Sequence, residues 1–209
     1  MNRAFALLAL LFLAACTTPI VQTDVTRFHT LEAGPGPRSF TILPENGQAG
    51  SLEFQRNAEL VAAALQARGW RPLPASANAD AVVTLGWGLG PAHTVTWQTP
   101  SSVWTGTGFG SRSSWYGGGI GFPLGDPFPY WETRSDTRHP KWLSVAILDG
   151  PAYRGGQRRV LFEGRAVTER GRQEIAPLMP YLVQGLFTGF PGGSGTTIRV
   201  DVPVTGTAP

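Results

Sequence analysis

One cysteine in 209 residues, Cys16, closes an apolar run (LLALLFLAAC, residues 7–16) and leaves the rest of the chain without a thiol. With no second cysteine, no disulfide forms within the chain, and stability has to come from an apolar core. Asn2 and Arg3 supply a positive start and residues 4–15 are apolar throughout, the layout of an export signal. A membrane-spanning helix needs ~20 apolar residues, so this shorter run suits transient recognition, not a permanent span. Removing residues 1–15 leaves 194, enough for one domain or a core plus an excursion.

The quartet Leu13-Ala14-Ala15-Cys16 resembles the bacterial lipobox. That resemblance implies a diacylated thiol at Cys16, cleavage just before it, and acylation of the new amino group. Cleavage by the general signal peptidase is the other reading, but it favours a small residue where Leu13 stands. Each buried methylene contributes about 0.8 kcal/mol, so three acyl chains imply lasting attachment to a bilayer. Thr17 follows the cysteine, where an Asp would signal inner-membrane retention in lipoproteins. The resemblance thus implies a periplasm-facing protein anchored in the outer membrane. Once Arg3 leaves with the signal, 16 Lys and Arg face 14 Asp and Glu. A nearly neutral chain in that compartment is not expected to bind nucleic acid.

Residues 17–24 lack apolar periodicity and read as a tether, giving a lipidated tether over 16–24. Residues 25–31 (VTRFHTL) alternate as a half-buried strand does, and 39–43 (SFTIL) read as the next. From Ser51 the period lengthens: Phe54, Ala58, Val61 and Leu65 fall at helical spacing, with Ser51 as N-cap and Gly69 in the left-handed C-terminal position. Residues 80–87 (DAVVTLGW) and 142–148 (WLSVAIL) read as buried strands, and 158–168 as a strand paired with the latter. A second amphipathic helix runs through Ile175, Leu178, Leu182 and Leu186, with Pro177 and Pro180 in its first turn. Residues 196–202 (TTIRVDV) make a last strand and 203–209 a tail. Together these predict an α+β fold: a two-layer sandwich of a mainly antiparallel sheet of about six strands with two helices, forming one domain over 25–202.

Residues 86–131 stand apart. They hold 11 of the glycines and 5 of the 7 tryptophans, yet only Arg112 and Asp126 are charged. Disordered linkers are poor in aromatics and rich in charge, so simple disorder explains this composition badly. Three readings remain for the excursion at 87–131: a hairpin folding its aromatics over the sheet, an exposed aromatic surface, or a segment that orders only on binding. On the second, Trp104, Phe109, Trp115, Tyr116 and Trp131 are the residues for contact with an envelope protein or glycan.

Tests for chemistry come out negative. In Gly106-Thr107-Gly108-Phe109-Gly110 the next fingerprint position is Ser111 and no helical pattern follows, while the only lysine, Lys141, lacks a phosphate loop. His29, His93 and His139 form no short-spaced ligand pair, so no metal site is expected. No serine occupies a G-x-S-x-G elbow, and no catalytic residue or cofactor is assigned. Arg165, Arg170 and Arg172 read as solvated charges.

Taken together, Arg27-Phe28-His29-Thr30 ahead of SFTILP, Ala67-Arg68-Gly69-Trp70, Ala79-Asp80-Ala81-Val82-Val83, residues 143–149, Val160-Leu161-Phe162-Glu163-Gly164 and the terminal Phe190-Pro191 resemble the bacterial envelope lipoproteins known as domain of unknown function 4136. The excursion departs from the tyrosine-glycine repeats common there by using tryptophan. The resemblance implies a periplasm-facing lipoprotein and supplies no catalytic residues.

The sequence therefore points to a non-enzymatic outer-membrane lipoprotein that contacts an envelope partner through the aromatic excursion. The rival is an envelope hydrolase or glycan-binding protein using those aromatics; a glycosidase would need paired carboxylates about 5 to 9.5 Å apart.

Overall fold

The computed structural model describes residues 19–31, 39–45, 47–101, 130–169 and 174–204, with only the backbone at 99–101 and 130–132. They fall into two compact units, one reaching to Pro91 and resuming at His139, the other spanning Ala92–Arg138.

In the larger unit β1 (Ile20–His29), β2 (Ser39–Ile42), α1 (Leu52–Gln66), β3 (Arg71–Pro72) and β4 (Ala81–Leu89) come first. The smaller unit supplies β5 (His93–Ser101) and β6 (Tyr130–Arg138). The larger then continues through β7 (Lys141–Asp149), α2 (Gly150–Arg154), β8 (Val160–Thr168), a 3₁₀ turn (Ala176–Leu178), α3 (Met179–Phe187) and β9 (Thr196–Pro203). Its seven strands lie in the order β3-β2-β4-β7-β8-β1-β9.

Strand period sets the two faces. Along β1 the odd residues Val21, Thr23, Val25 and Arg27 are buried while Gln22, Asp24 and Phe28 are exposed. The buried side packs with Phe40, Val83, Leu85, Val145, Ile147, Phe162 and Ala166 against Phe54, Val61 and Leu65 of α1 and Leu182, Val183 and Leu186 of α3. Ser51 caps α1, its hydroxyl accepting from the Phe54 amide at 3.3 Å, and Gly69 beyond the helix takes φ +82°. In α3 the prolines fall where expected, Pro177 in the 3₁₀ turn and Pro180 in the first helical turn, where amides lack intrahelical partners.

The α+β class stands, with corrections. The described residues hold nine strands where about six were expected, and a third helix, α2, started by the Asp149 carboxylate accepting from the Ala152 amide at 2.8 Å. The sheet is mixed: β2 runs parallel to both β3 and β4, with Phe40 opposite Ala81. The cause is α1, whose fifteen residues return the chain to the level where β2 starts, so that β3, which follows the helix, and then β4 run the same way as β2. The first strand starts at Ile20, not at residue 25, and Ile20 pairs with Pro203. Thr23 at an inward position blurs the apolar alternation there, so residues 20–24 read as part of the tether. The strand expected to end at Trp87 continues to Leu89 opposite Lys141, so the excursion begins at Ala92 and returns at Arg138.

Candidate functional site

Of the residues singled out for contact with a partner, Cys16, Trp104, Phe109, Trp115 and Tyr116 lie outside the described residues. Trp131 lies in β6, its backbone opposite Pro100. The strands that bracket the aromatic segment pair antiparallel over nine positions, from His93 opposite Arg138 to Ser101 opposite Tyr130. This ribbon is wet on both faces: His93, Thr94, Thr96, Trp97 and Gln98 are exposed, as are residues 133–137. Burial therefore gives no two-sided alternation; β6 shows no apolar period, and in β5 only Val95 and Trp97 alternate with polar neighbours, too short a run to reveal a strand. The Arg138 Nε donates to the Asp136 carboxylate at 3.1 Å, a solvent-exposed pair of small energetic weight.

A second arrangement comes from motifs that are distant in sequence. The last four carbonyls of a helix have no intrahelical donor. At α3 all four find one from a side chain. The Thr188 hydroxyl donates to Gln184 O at 2.7 Å. From β1, the Arg27 Nε donates to Leu186 O at 3.0 Å, and its Nη2 to Gly185 O at 3.2 Å and to Thr188 O at 2.7 Å. From the end of α1, the Arg68 Nη2 donates to Phe187 O, while its Nη1 returns to Ala64 O at 2.6 Å. The Arg68 guanidinium also lies 5.3 Å from the Phe187 ring centre. Two positive charges thus meet the negative end of the α3 dipole. Burial, and for Arg27 also the neighbouring Arg68, pushes both guanidinium pKa values below the usual arginine range.

Around this end the chain turns through a cis Phe190–Pro191 bond. The Phe190 ring packs on Phe162 at 4.8 Å, on Phe187 at 5.4 Å and edge-on to Trp70 at 6.3 Å. His29 stacks on Phe162, and its Nε2 lies 2.9 Å from Gly192 O. Gly192 takes φ +77°, and a Cβ there would stand 2.6 Å from the Arg27 Nη1, so only glycine fits. Arg-Phe-His-Thr, Arg-Gly-Trp, Leu-Phe-Glu-Gly and Phe-Pro-Gly-Gly are therefore parts of one lock. In the sequence Arg27 and Arg68 stand out only as members of the family motifs, with no role of their own. An arginine at the inward position of the Val21, Thr23, Val25 series was the available signal.

Beside the lock, a groove of 390 Å³ between α1 and α3 is lined by Leu60, Ala64, Arg68, Val183, Phe187 and Thr188 among others. On the opposite sheet face Trp142 lies across the glycine notch of Gly86 and Gly88, with the Arg165 guanidinium 5.3 Å from its ring centre. Arg165 is exposed, as the sequence suggested, and its guanidinium also lies over an aromatic ring. Among the described residues no group of three or more His, Cys, Asp and Glu is placed to hold a metal ion, and no helix is long and apolar enough to cross a membrane.

Among solved structures, the chain is similar to a PDZ domain protein from Parabacteroides distasonis, at 13% identity and a TM-score of 0.46 over 96% of this chain. The chain spans only 42% of that protein's length. It is also similar to the PelC dodecamer from Paraburkholderia phytofirmans, at 12% identity and a TM-score of 0.38 over 77% of this chain and 91% of that one. Likenesses this distant bear on neither function nor assembly. No curated protein matches the chain. The family model described as domain of unknown function (DUF4136) matches residues 22–192, from β1 to the glycines that close the lock, and the chain belongs to that family.

Proposed function

We propose that this protein is a non-enzymatic lipoprotein, anchored in the outer membrane through Cys16 and facing the periplasm, which offers its Gly/Trp-rich segment to an envelope partner. One observation carries the reading: the ends of residues 102–129 are joined by a ribbon that forms its own compact unit and is exposed on both faces. A two-stranded hairpin alone is at best marginally stable in water, so a ribbon of this kind suits presentation better than scaffolding. The segment it carries is charge-poor and aromatic, a composition typical of contact sites. The lipobox resemblance supplies the setting.

Two experiments test the parts separately. A photoreactive residue at Trp104 or Trp115, irradiated in cells, should give a specific adduct with an envelope component; no adduct at either position removes the partner. Replacing Cys16 by alanine should move the protein from the membrane to the soluble fraction. Unchanged fractionation removes the anchor while leaving the partner reading to the first experiment.

A further inference from the structure

β9 closes one side of the seven-stranded sheet and pairs with β1 along its full length. Beyond its end the Val204 amide donates to Pro19 O at 2.8 Å, so this position is a hydrogen-bonded pair in the same register. Bonded and non-bonded pairs alternate in an antiparallel ladder. Residues 196, 198, 200 and 202 therefore exchange bonds with β1, and the backbone groups of Thr197, Arg199 and Asp201 point to the other side. Among the described residues no strand pairs there. Thr196, Thr197, Ile198, Arg199 and Asp201 are all exposed, Ile198 to 43%.

Edges of this length are templates for another strand, and monomeric proteins usually blunt them with charge. Here Arg199, whose Nε also donates to the Asp24 carboxylate of its own chain at 2.9 Å in an exposed pair, and Asp201 are of opposite sign and two residues apart, an arrangement that matches itself. We propose that β9 pairs with β9 of a second copy, antiparallel and centred on Val200, so that Arg199 lies opposite the partner's Asp201.

The register follows from the residues. Centring the two-fold axis on Arg199 sets arginine against arginine, and centring it on Asp201 sets aspartate against aspartate; both are unfavourable. A centre between residues sets bonding positions against non-bonding ones and breaks the ladder. Centring on Val200 yields two opposite-charge pairs on the outward face. On the inward face it puts Ile198 against the partner's Val202 and covers the exposed isoleucine. Such a contact is self-complementary and closes after two copies, as an isologous interface must. It joins the two sheets edge to edge, with α1 and α3 of both copies on the same face.

The test uses the full chain, extracted from membranes in detergent and examined by sedimentation. The parent should be a dimer. Arg199→Asp alone and Asp201→Arg alone each set like charges opposite at both pairs and should weaken the dimer by about tenfold or more. An equimolar mixture of the two variants brings two aspartates against two arginines, and mixed dimers should return to near the parent's affinity. Recovery on mixing separates pairing from misfolding, and thermal melts of each variant provide a second control. In membranes, Val200→Cys should form a disulfide-linked dimer under mild oxidation, because a non-bonded pair sets Cα atoms about 4.5 Å apart, within disulfide range. Ile198→Cys should not. A monomeric parent, a dimer indifferent to both charge changes, no recovery on mixing, or cross-linking at 198 as strong as at 200 would each overturn the proposal, as would capture of a different protein by the Val200→Cys edge.

Discussion

Replacing Arg27 by methionine removes a buried charge and three hydrogen bonds at once, and the two effects have opposite signs. The Gly185 carbonyl keeps another donor, the Thr188 amide at 3.3 Å, so the variant orphans chiefly Leu186 O and Thr188 O. An unsatisfied buried carbonyl costs roughly 1–3 kcal/mol. Loss of the charge at the helix end costs up to about 2 kcal/mol more. Against this stand the relief of desolvation and of repulsion from Arg68, which together return on the order of a few kcal/mol. The Leu186 bond is fully buried and the Thr188 bond only partly so, which lets water repair part of the second loss. The balance is a destabilisation of about 2 kcal/mol, for two carbonyls orphaned and one cation removed. Urea unfolding followed by tryptophan fluorescence and far-UV circular dichroism measures it. With a slope of roughly 2 kcal/mol per molar, the midpoint should fall by about 1 M. Arg27→Lys keeps the charge but cannot reach three carbonyls with one ammonium, so its midpoint should lie between. A methionine variant as stable as the parent would refute the reasoning, since the buried charge would then cost as much as its bonds return.

Two further outcomes follow from the same packing. Gly164 faces Arg27 across the ladder, and a Cβ there would stand 2.8 Å from Leu186 Cδ1 and from the Phe162 ring, so Gly164→Ala should destabilise by about 1–3 kcal/mol. Shortening Leu186 in the same chain should offset part of that loss; strictly additive midpoints in a double-mutant cycle would reject direct overlap as the cause. Lys141 is 1% exposed, and burial lowers its pKa below 10.5 while Glu169 opposes the shift. The folded chain then releases this proton at lower pH than the unfolded chain, so between the two pKa values the unfolded state binds more protons and stability rises with pH. Urea midpoints at pH 7 and pH 10 should shift in the parent's favour relative to Lys141→Met, and a constant gap would contradict the assignment.

What the sequence revealed depended on one-sided burial. α1 was legible because Phe54, Val61 and Leu65 recur at helical spacing on a single buried stripe, and β8 because its alternating residues meet core and water in turn. β5 and β6 were not, since with water on both faces β6 carries no apolar period and β5 only the short Val95/Trp97 alternation. The parallel placement of β2 against β4 was also hidden, because direction depends on where α1 returns the chain and not on the composition of either strand. Asn57, buried at 3% in the apolar stripe of α1, broke no pattern strongly enough to be noticed. The lock was half legible: its motifs were picked out individually, but nothing in a linear pattern says that an arginine in the first strand ends the last helix.

The lock and the ribbon place different demands on the chain. β4 and β7 pair directly from Ala81 opposite Asp149 to Leu89 opposite Lys141, and the Gly90 amide closes the pair on Pro140 O at 2.7 Å. The β4–β7 ladder is therefore complete without a backbone bond from the described residues between 92 and 138. Loop-closure entropy grows only with the logarithm of length, each doubling costing about 0.6 kcal/mol, so a long insertion between these two strands burdens the fold little. In the row of Gly164, Val145 and Leu85, midway along the strands, Arg27 joins Arg68 in tying β1, α1 and α3 together through backbone carbonyls, a connection that tolerates no change in register. Sequence in the insertion is thus free to answer to a binding surface, whereas sequence around the lock answers to the fold. That division is the physical reason to look for a partner at the ribbon and for stability at the arginines.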